Sequence, residues 1–317
     1  MLEDPSLFAP AASAETASDA CQAGDAALHE VASWFRRQPS FESRFGSIFR
    51  QSIDEVLDGQ RTGRYDIDCV SKTEKTYLGT KVEIITQSTF GLSRGAHMDY
   101  SIAGHEVDAK FSLTSQWQIP GEAMGHLCLL MSAREHKQTF EAGLLRITDA
   151  VLNKGRNQDK KATITGAAKQ NITWLCRDAP LPPNILLLMR GENAEQIMAQ
   201  TSGQRRINQL LRVEQGRVID RNTALTVAKQ ADGLKRCRDA RSALKDEGIV
   251  VLGHQRDSRR IASELGIPPL QKGTFMSIRL VPVPADAADR KVTTIDGNCY
   301  AVATKGEPVH PVPEIKN

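Results

Sequence analysis

Apolar residues recur at helical spacing early in the chain and give way to β-prone runs in its middle. From about Asp25, residues Leu28, Val31, Ala32, Trp34 and Phe35 form one apolar side, and a helix is predicted there. A second helix is predicted over residues 47–57, where Ile48, Phe49, Ile53, Val56 and Leu57 keep the period. Strands are expected to dominate from residue 81 to about 111, with Val82, Ile84 and Ile85 as a short β-prone run, and to return at 127–131 and 143–147. Helices before and after a small mixed sheet describe an α/β core.

The pattern changes after Ala179-Pro180-Leu181-Pro182-Pro183, because adjacent prolines stiffen a connection and interrupt regular structure. The expected organisation is a disordered segment over 1–24, rich in Ala, Ser, Asp and Glu, then a first domain over 25–176. A Pro-rich linker over 177–183 and a second domain over 184–317 complete it. In the second domain a short apolar strand is expected at 184–189. Helices are expected at 204–211, 223–229 and 233–245, the last with Leu234, Cys237, Arg241 and Leu244 near one side. Strands are expected at 248–252 and 275–281. Helices followed by a strand pair suit a winged helix-turn-helix.

Composition changes this picture little. A chain of 317 residues is long enough for two cores, and 40% hydrophobic with 25% charged residues is normal for a soluble globular protein. The net charge of +3 is too mild to announce a nucleic-acid binder, so local clustering must carry that argument. Cys21, Cys69, Cys128, Cys176, Cys237 and Cys299 are scattered without a Cys-x-x-Cys pair, which argues against a zinc site or a disulfide framework and fits a reducing cytoplasm. Met1-Leu2-Glu3-Asp4-Pro5 lacks the basic start of a secretory signal, and no apolar run approaches membrane-spanning length. A soluble cytoplasmic protein is expected. His126 and His254 sit beside apolar runs and read as packed residues, not ligands.

The sharpest chemistry lies in three carboxylates and a lysine: Glu83, Asp99, Asp108 and Lys110. Side chains alternate along a strand, so Asp108 and Lys110 project together while Val107, Ala109 and Phe111 face the other way. Ala103-Gly104-His105 reads as a hairpin turn that returns Asp99 to the side of Asp108. Val82-Glu83-Ile84 brings a third carboxylate to the same edge. Clustered carboxylates repel one another, and a hard divalent cation, Mg²⁺ above all, relieves that repulsion through oxygen ligands. Such an ion stabilises charge developing on a phosphate and lowers the pKa of a bound water. Asp99 and Asp108 are the expected ligands, with Glu83 assisting. Lys110 supplies an ammonium for the attacking water or the phosphate oxygens. Metal-dependent nucleases of the restriction-enzyme type assemble a site in this way, although an Asp-x-Lys on a strand also occurs as a solvated ion pair.

Basic clusters supply the candidate nucleic-acid contacts. Lys235, Arg236, Arg238, Arg241 and Lys245 gather on one predicted helix with Asp239 against them. They form either a solvated face or a reader of the major groove, with Arg on guanine edges and Lys on phosphates. Arg61 and Arg64 flank Gly63, with Gly59 nearby. The glycines permit close backbone approach and the arginines could pair phosphates, or the segment is a structural turn. The basic stretch 153–161 reads as a loop, solvated or following phosphates.

The strings Leu57-Asp58-Gly59-Gln60-Arg61-Thr62-Gly63-Arg64-Tyr65, Lys72-Thr73-Glu74-Lys75-Thr76, Val82-Glu83-Ile84, Val107-Asp108-Ala109-Lys110-Phe111 and Gly125-His126-Leu127-Cys128-Leu129 resemble the NaeI family of type II restriction endonucleases. Pro183-Asn184-Ile185-Leu186-Leu187, Gly216-Arg217-Val218-Ile219 and the run from Glu247 to Gln255 extend the resemblance. It runs from about residue 55 to beyond 300. The first fifty or so residues and the segment 86–97 depart from it. The resemblance implies a restriction-endonuclease-like mixed sheet core plus a C-terminal winged-helix domain. It puts the catalytic acids and lysine on Glu83, Asp99, Asp108 and Lys110. It further implies Mg²⁺-dependent cleavage of double-stranded DNA at a short palindromic, GC-rich, GCCGGC-like site, leaving 5′-phosphates. Two DNA surfaces per protomer are implied, the second activating the first. Two scissile phosphates related by a two-fold axis call for a homodimer. The rival readings are a non-catalytic winged-helix regulator and a DNA-nicking or topoisomerase-like enzyme.

Overall fold

The computed structural model describes residues 24–315 except Arg190 and Ala288. The segment expected to be disordered lies, but for its last residue, outside the described residues. The chain forms two compact units, residues 24–53 with 71–182 and residues 54–70 with 183–315.

In the first unit, helix α1 (Ala26–Arg36) starts where Asp25 accepts the Leu28 amide at 3.0 Å, and buries Leu28, Val31, Ala32 and Phe35. Helix α2 (Phe41–Leu57) begins six residues before the predicted start at 47, since Phe45 continues the buried row of Ile48, Phe49 and Ile53. A four-residue helix, α3 (Gly59–Thr62), follows and belongs to the second unit. The β-prone run at 82–85 is not a strand. It lies inside helix α4 (Lys72–Phe90), which Ser71 and Glu74 open with a reciprocal capping box and Gly91 closes at φ +64°. Leu78, Val82, Ile85, Thr86 and Phe90 are its buried residues, at helical spacing. Phe90 packs 4.9 Å from Phe45 and 5.3 Å from Phe35, ring centre to ring centre.

Eight strands follow: β1 (Tyr100–Ile102), β2 (His105–Ser112), β3 (Gln118–Ile119), β4 (Leu127–Arg134), β5 (Thr139–Arg146), β6 (Leu152–Arg156), β7 (Ala162–Ile164) and β8 (Thr173–Pro180). The main sheet has the order β1-β2-β4-β5-β8, and β3-β7-β6 form a smaller one. Strands β2 and β4 run parallel, with Asp108 beside Cys128 and Lys110 beside Leu130; the other pairs in the main sheet are antiparallel. The face carrying Phe111 and Phe140 packs on α2, where Phe49 meets both rings at 5.8 and 5.3 Å. The opposite face sends Cys128, Leu130 and Leu145 into a cluster with Trp117 and the small sheet's Ile119, Ala162 and Ile164. The basic stretch expected as a loop at 153–161 is exposed, but its first part is β6. The expected linker at 177–183 begins as edge strand: Ala179 and Pro180 pair with Phe140 and Thr139. An edge position is where a strand tolerates proline.

In the second unit, residues 184–189 form no strand. Asn184 caps the Leu187 amide and opens helix α5 (Ile185–Leu188). Helices α6 (Gly191–Met198) and α7 (Gly203–Val213) follow, then β9 (Val218–Ile219), α8 (Arg221–Ala228) and α9 (Gly233–Leu244). After β10 (Ile249–Leu252) come helix α10 (Arg256–Glu264), β11 (Phe275–Pro282), β12 (Val292–Ile295) and β13 (Asn298–Val302). β11 pairs with β9, β10 and β13. Ile207, Leu210, Ala224, Val227, Cys237, Ala240, Leu244 and Val251 share the core of α7, α8, α9 and β10. Gly233 lets α9 start against α8, since a Cβ there would stand 2.7 Å from the Ala224 carbonyl oxygen. Among the described residues, no helix is long and apolar enough to cross a membrane.

Candidate active site

The hairpin β1–β2 turns through Ala103 (φ +51°) and Gly104 (φ +83°). Its register pairs Tyr100 with Val107, so the residue before Tyr100 arrives beside Asp108. There the ladder ends in a side chain: Asp99 Oδ2 accepts the Ala109 N–H at 2.7 Å. Lys110, two residues past Asp108 on the same strand face, brings Nζ to 2.7 Å from the Asp108 carboxylate and donates to the Ala109 carbonyl at 2.9 Å. Glu83 arrives from helix α4, not from a strand. The buried Tyr100 ties it to the hairpin by donating its hydroxyl to the Glu83 main-chain carbonyl at 2.9 Å. Glu83, Asp99, Asp108 and Lys110 are thereby brought together.

Their electrostatics mark a strained grouping of like charges. Asp108 is only 5% exposed; burial raises its pKa, opposed by the charge and hydrogen bond of Lys110, while Asp99, close enough to share a proton, raises it further. Glu83 is also raised, first by burial and then by Asp99, with Asp108 adding and Lys110 and Arg94 opposing. For Lys110 burial alone favours the neutral amine, but Asp108 and Asp99 outweigh it and lift the pKa above the ordinary value. The amine is therefore a cation at neutral pH. Asp108 and Glu83 are raised by burial and by neighbouring carboxylates, and the all-oxygen donors of Asp99 and Asp108, one strand apart, fit a hard divalent cation.

Two neighbours escape a reading of the sequence. Cys128, fully buried beside Asp108 in the parallel pair β2–β4, donates its thiol to Asp108 Oδ2 at 3.5 Å. Burial and the Asp108 charge push its pKa well up, so it is a neutral donor. Glu106, on the Asp108 side of β2, accepts three consecutive amides of the preceding loop, from Ala96, His97 and Met98. Strand alternation puts Glu106 on that side, but no local pattern pairs it with that loop or Cys128 with Asp108.

The basic candidates divide. On α9, Lys235 and Arg238 are exposed, Arg236 is half-buried against Asp232 at 3.0 Å, and Lys235 stands 3.8 Å from Asp239. Lys245 is half-buried just past the helix. Arg241 is buried and donates Nε to the Val251 carbonyl at 3.0 Å, inside the unit. Arg61 is exposed and pairs with Asp58 at 3.0 Å. Arg64 donates to the Leu57 and Val56 carbonyls at the end of α2, a C-terminal capping role. Gly59 and Gly63 serve packing against α8 and the residue after it: a Cβ on Gly59 would stand 2.2 Å from Thr226 Oγ1, and one on Gly63 2.1 Å from the Lys229 side chain. The segment 59–64 belongs to the second unit, not the first as the sequence suggests.

Comparison with known proteins identifies the family of the chain. A family model described as restriction endonuclease NaeI matches residues 29–311, which takes in α1 and α2 as well as the segment expected to match. The type II restriction enzyme NaeI of Lentzea aerocolonigenes is 38% identical over 284 residues, covering 86% of this chain and 89% of that protein. With the acids and lysine brought together by a helix and a β-hairpin and the match extending across both units, the chain belongs to the NaeI family of type II restriction endonucleases.

Proposed function

We propose that the protein cuts both strands of a short palindromic, GC-rich DNA site of the GCCGGC kind by Mg²⁺-dependent hydrolysis, leaving 5′-phosphates. The convergence of Glu83, Asp99 and Asp108 beside the Lys110 ammonium carries this reading. Asp99 and Asp108 would hold the cation, with Glu83 assisting through a water or a second ion. When bound, Mg²⁺ supplies charge compensation at the phosphate and acidifies a coordinated water. The protein's own groups do the rest. Burial raises the Asp108 pKa and the Lys110 ammonium opposes that rise, so positive charge at the site favours its carboxylate form. Lys110, held by Asp108 and the Ala109 carbonyl, keeps a proton-bearing nitrogen at the site to orient the attacking water or a phosphate oxygen.

The second unit is read as a winged-helix module that binds a second copy of the target. Its order of helix, strand, two helices and strands meeting on β11 supports this. Helix α9 is the proposed groove reader, through Lys235 and Arg238, with Arg236 and Lys245 at its margins and Arg61 as a further phosphate contact. Arg64 and Arg241 are assigned structural roles. A homodimer follows from the two-fold symmetry of a palindrome cut on both strands, and the expected compartment is the cytoplasm.

Plasmid DNA incubated with the protein and Mg²⁺ tests the reading. Linear fragments with uniform 5′-phosphate ends are expected from the wild type, and bound but uncut DNA from Lys110→Ala. Nicked circles, altered supercoiling with resealed strands, or normal cutting by Lys110→Ala would overturn it.

A further inference from the structure

We propose that Glu106 is a positioning residue that fixes Asp99 for cation binding by folding the loop in front of it. Its Oε1 accepts the Ala96 N–H at 2.7 Å, and its Oε2 accepts those of His97 and Met98 at 2.8 Å each. Three successive amides converging on one carboxylate fix the backbone up to the residue before Asp99. The start of the loop is held as well, because Ser101 N–H donates to the Ser93 carbonyl at 2.9 Å. Asp99 is thus fastened on both sides: its chain through Met98 by Glu106, and its carboxylate by the Ala109 amide.

The loop tolerates no bulk at its bend. A Cβ on Gly95 would stand 2.4 Å from the Met98 carbonyl oxygen and 2.9 Å from Glu106 Oε2. Gly95 and Glu106 therefore constrain the same peptide by independent means, one by steric room and the other by hydrogen bonds.

Glu106 lies at the surface, where water can replace its hydrogen bonds, so removing it should cost the fold little. What water cannot replace is geometry. A carboxylate that is to ligate a cation needs its backbone in one place, and partners that orient ligands commonly matter by about 10–100-fold in metal affinity. Glu106 is itself a carboxylate near the site, but its oxygens are committed to amides and do not compete for the ion. The inference rests on the reading of Asp99 as a cation ligand.

The test uses the full chain with Glu106→Gln, Gly95→Ala and, as control, Asp99→Ala. Gln has a single acceptor oxygen and cannot satisfy three amides from both sides of a carboxylate. Mn²⁺ binding to the metal-free proteins, followed by loss of the free-ion paramagnetic resonance signal, gives a readout independent of cutting. Roughly tenfold weaker Mn²⁺ binding is expected in both Glu106→Gln and Gly95→Ala, with a melting temperature close to wild type for Glu106→Gln and a lower one for Gly95→Ala, whose Cβ meets the Met98 carbonyl. The Mg²⁺ concentration for half-maximal cleavage should rise by a similar factor, while the rate recovers toward wild type at saturating Mg²⁺. If Asp99→Ala binds Mn²⁺ and cuts normally, the reading of the site itself fails. If Asp99→Ala loses both while Glu106→Gln and Gly95→Ala titrate like wild type, the role of Glu106 is refuted. Unfolding of both variants would also refute it, since Glu106 would then hold the unit together and not the loop.

Discussion

The hydroxyl of Tyr100 donates to the main-chain carbonyl of Glu83 at 2.9 Å, joining the strand that follows Asp99 to the helix that carries the third carboxylate. Helix α4 and the hairpin are separate elements in sequence, and this bond sets one against the other at the site. Burial keeps the Tyr100 phenol protonated far above its ordinary range, so it remains a donor at any pH the protein meets.

Tyr100→Phe keeps the ring in its buried position and removes only that donor. The Glu83 carbonyl is inside a helix, so a stability loss of about 1 kcal/mol is expected. If the displaced energy falls on the catalytic geometry, cleavage at limiting Mg²⁺ should drop about fivefold, with DNA affinity in the absence of metal unchanged. Thermal melts and initial cleavage rates check both. Unaltered cleavage at every Mg²⁺ concentration would show that the helix needs no such tie.

A pH-dependent contribution to stability sits at the start of helix α1. Arg146 grips both oxygens of Asp25 at 2.7 and 2.8 Å while Asp25 caps α1. The hydrogen bond from Arg146 is the main cause that holds the Asp25 pKa below its ordinary 3.8, against the opposing effect of burial. A group whose pKa is lower when folded stabilises the native state above its unfolded pKa, and loses that contribution as pH falls through the folded value. Asp25→Asn retains the capping oxygen and removes the charge. It should cost about 1–3 kcal/mol at neutral pH, with the gap from wild type closing as the pH drops below about 4. Denaturant melts at pH 7 and pH 3 measure it; an equal gap at both would show that the ion pair is not its source.

Why some of this was legible in the chain and some not follows from the range of the interactions. Asp108 and Lys110 are two apart, and strand alternation alone puts them together; Ala103-Gly104 is a local turn, and it returns Asp99. Glu83 is identifiable by charge, but the three apolar residues around it, Val82, Ile84 and Ile85, suit a strand or a helix equally. The capping pair Ser71 and Glu74, Gly91 after Phe90, and the spacing of Leu78, Val82, Ile85 and Thr86 decide for the helix. Residues 184–189 misled for the same reason, and Asn184 was the missed cap. Cys128 faces Asp108 through a parallel pairing across a long crossover. The register of such a pair is set by the folded sheet, and nothing local encodes it.

Arg238 and Arg241 separate two kinds of basic residue on one helix. Arg241 lies at helical spacing from Cys237 and Leu244 and is buried with them, while Arg238 is exposed. Arg241→Ala would leave the Val251 carbonyl without its donor inside the unit and is expected to cost about 1–3 kcal/mol in stability. Arg238→Ala should leave the melting temperature alone, weaken DNA binding and reduce the slope of log affinity against log salt by about 1 if it meets a phosphate. Fluorescence anisotropy at several salt concentrations, alongside thermal melts, distinguishes them. Reversal of the two phenotypes would remove α9 from the DNA surface.

If the second unit binds a further copy of the target and thereby favours cutting, occupancy of one site must change the free energy of the other. Such couplings typically amount to about 5–150-fold. A plasmid bearing a single target should then be cut slowly, because no second copy is at hand to fill the activating surface. Adding a short duplex that contains the target should speed its cleavage within that range, whereas a duplex of scrambled sequence should not. The acceleration must saturate as the activating surface fills, and at higher duplex concentrations it should decline as the duplex competes for the cutting site. Cleavage rates that fall monotonically with added target duplex would indicate competition alone, and the second unit would then serve to hold DNA without activating the enzyme.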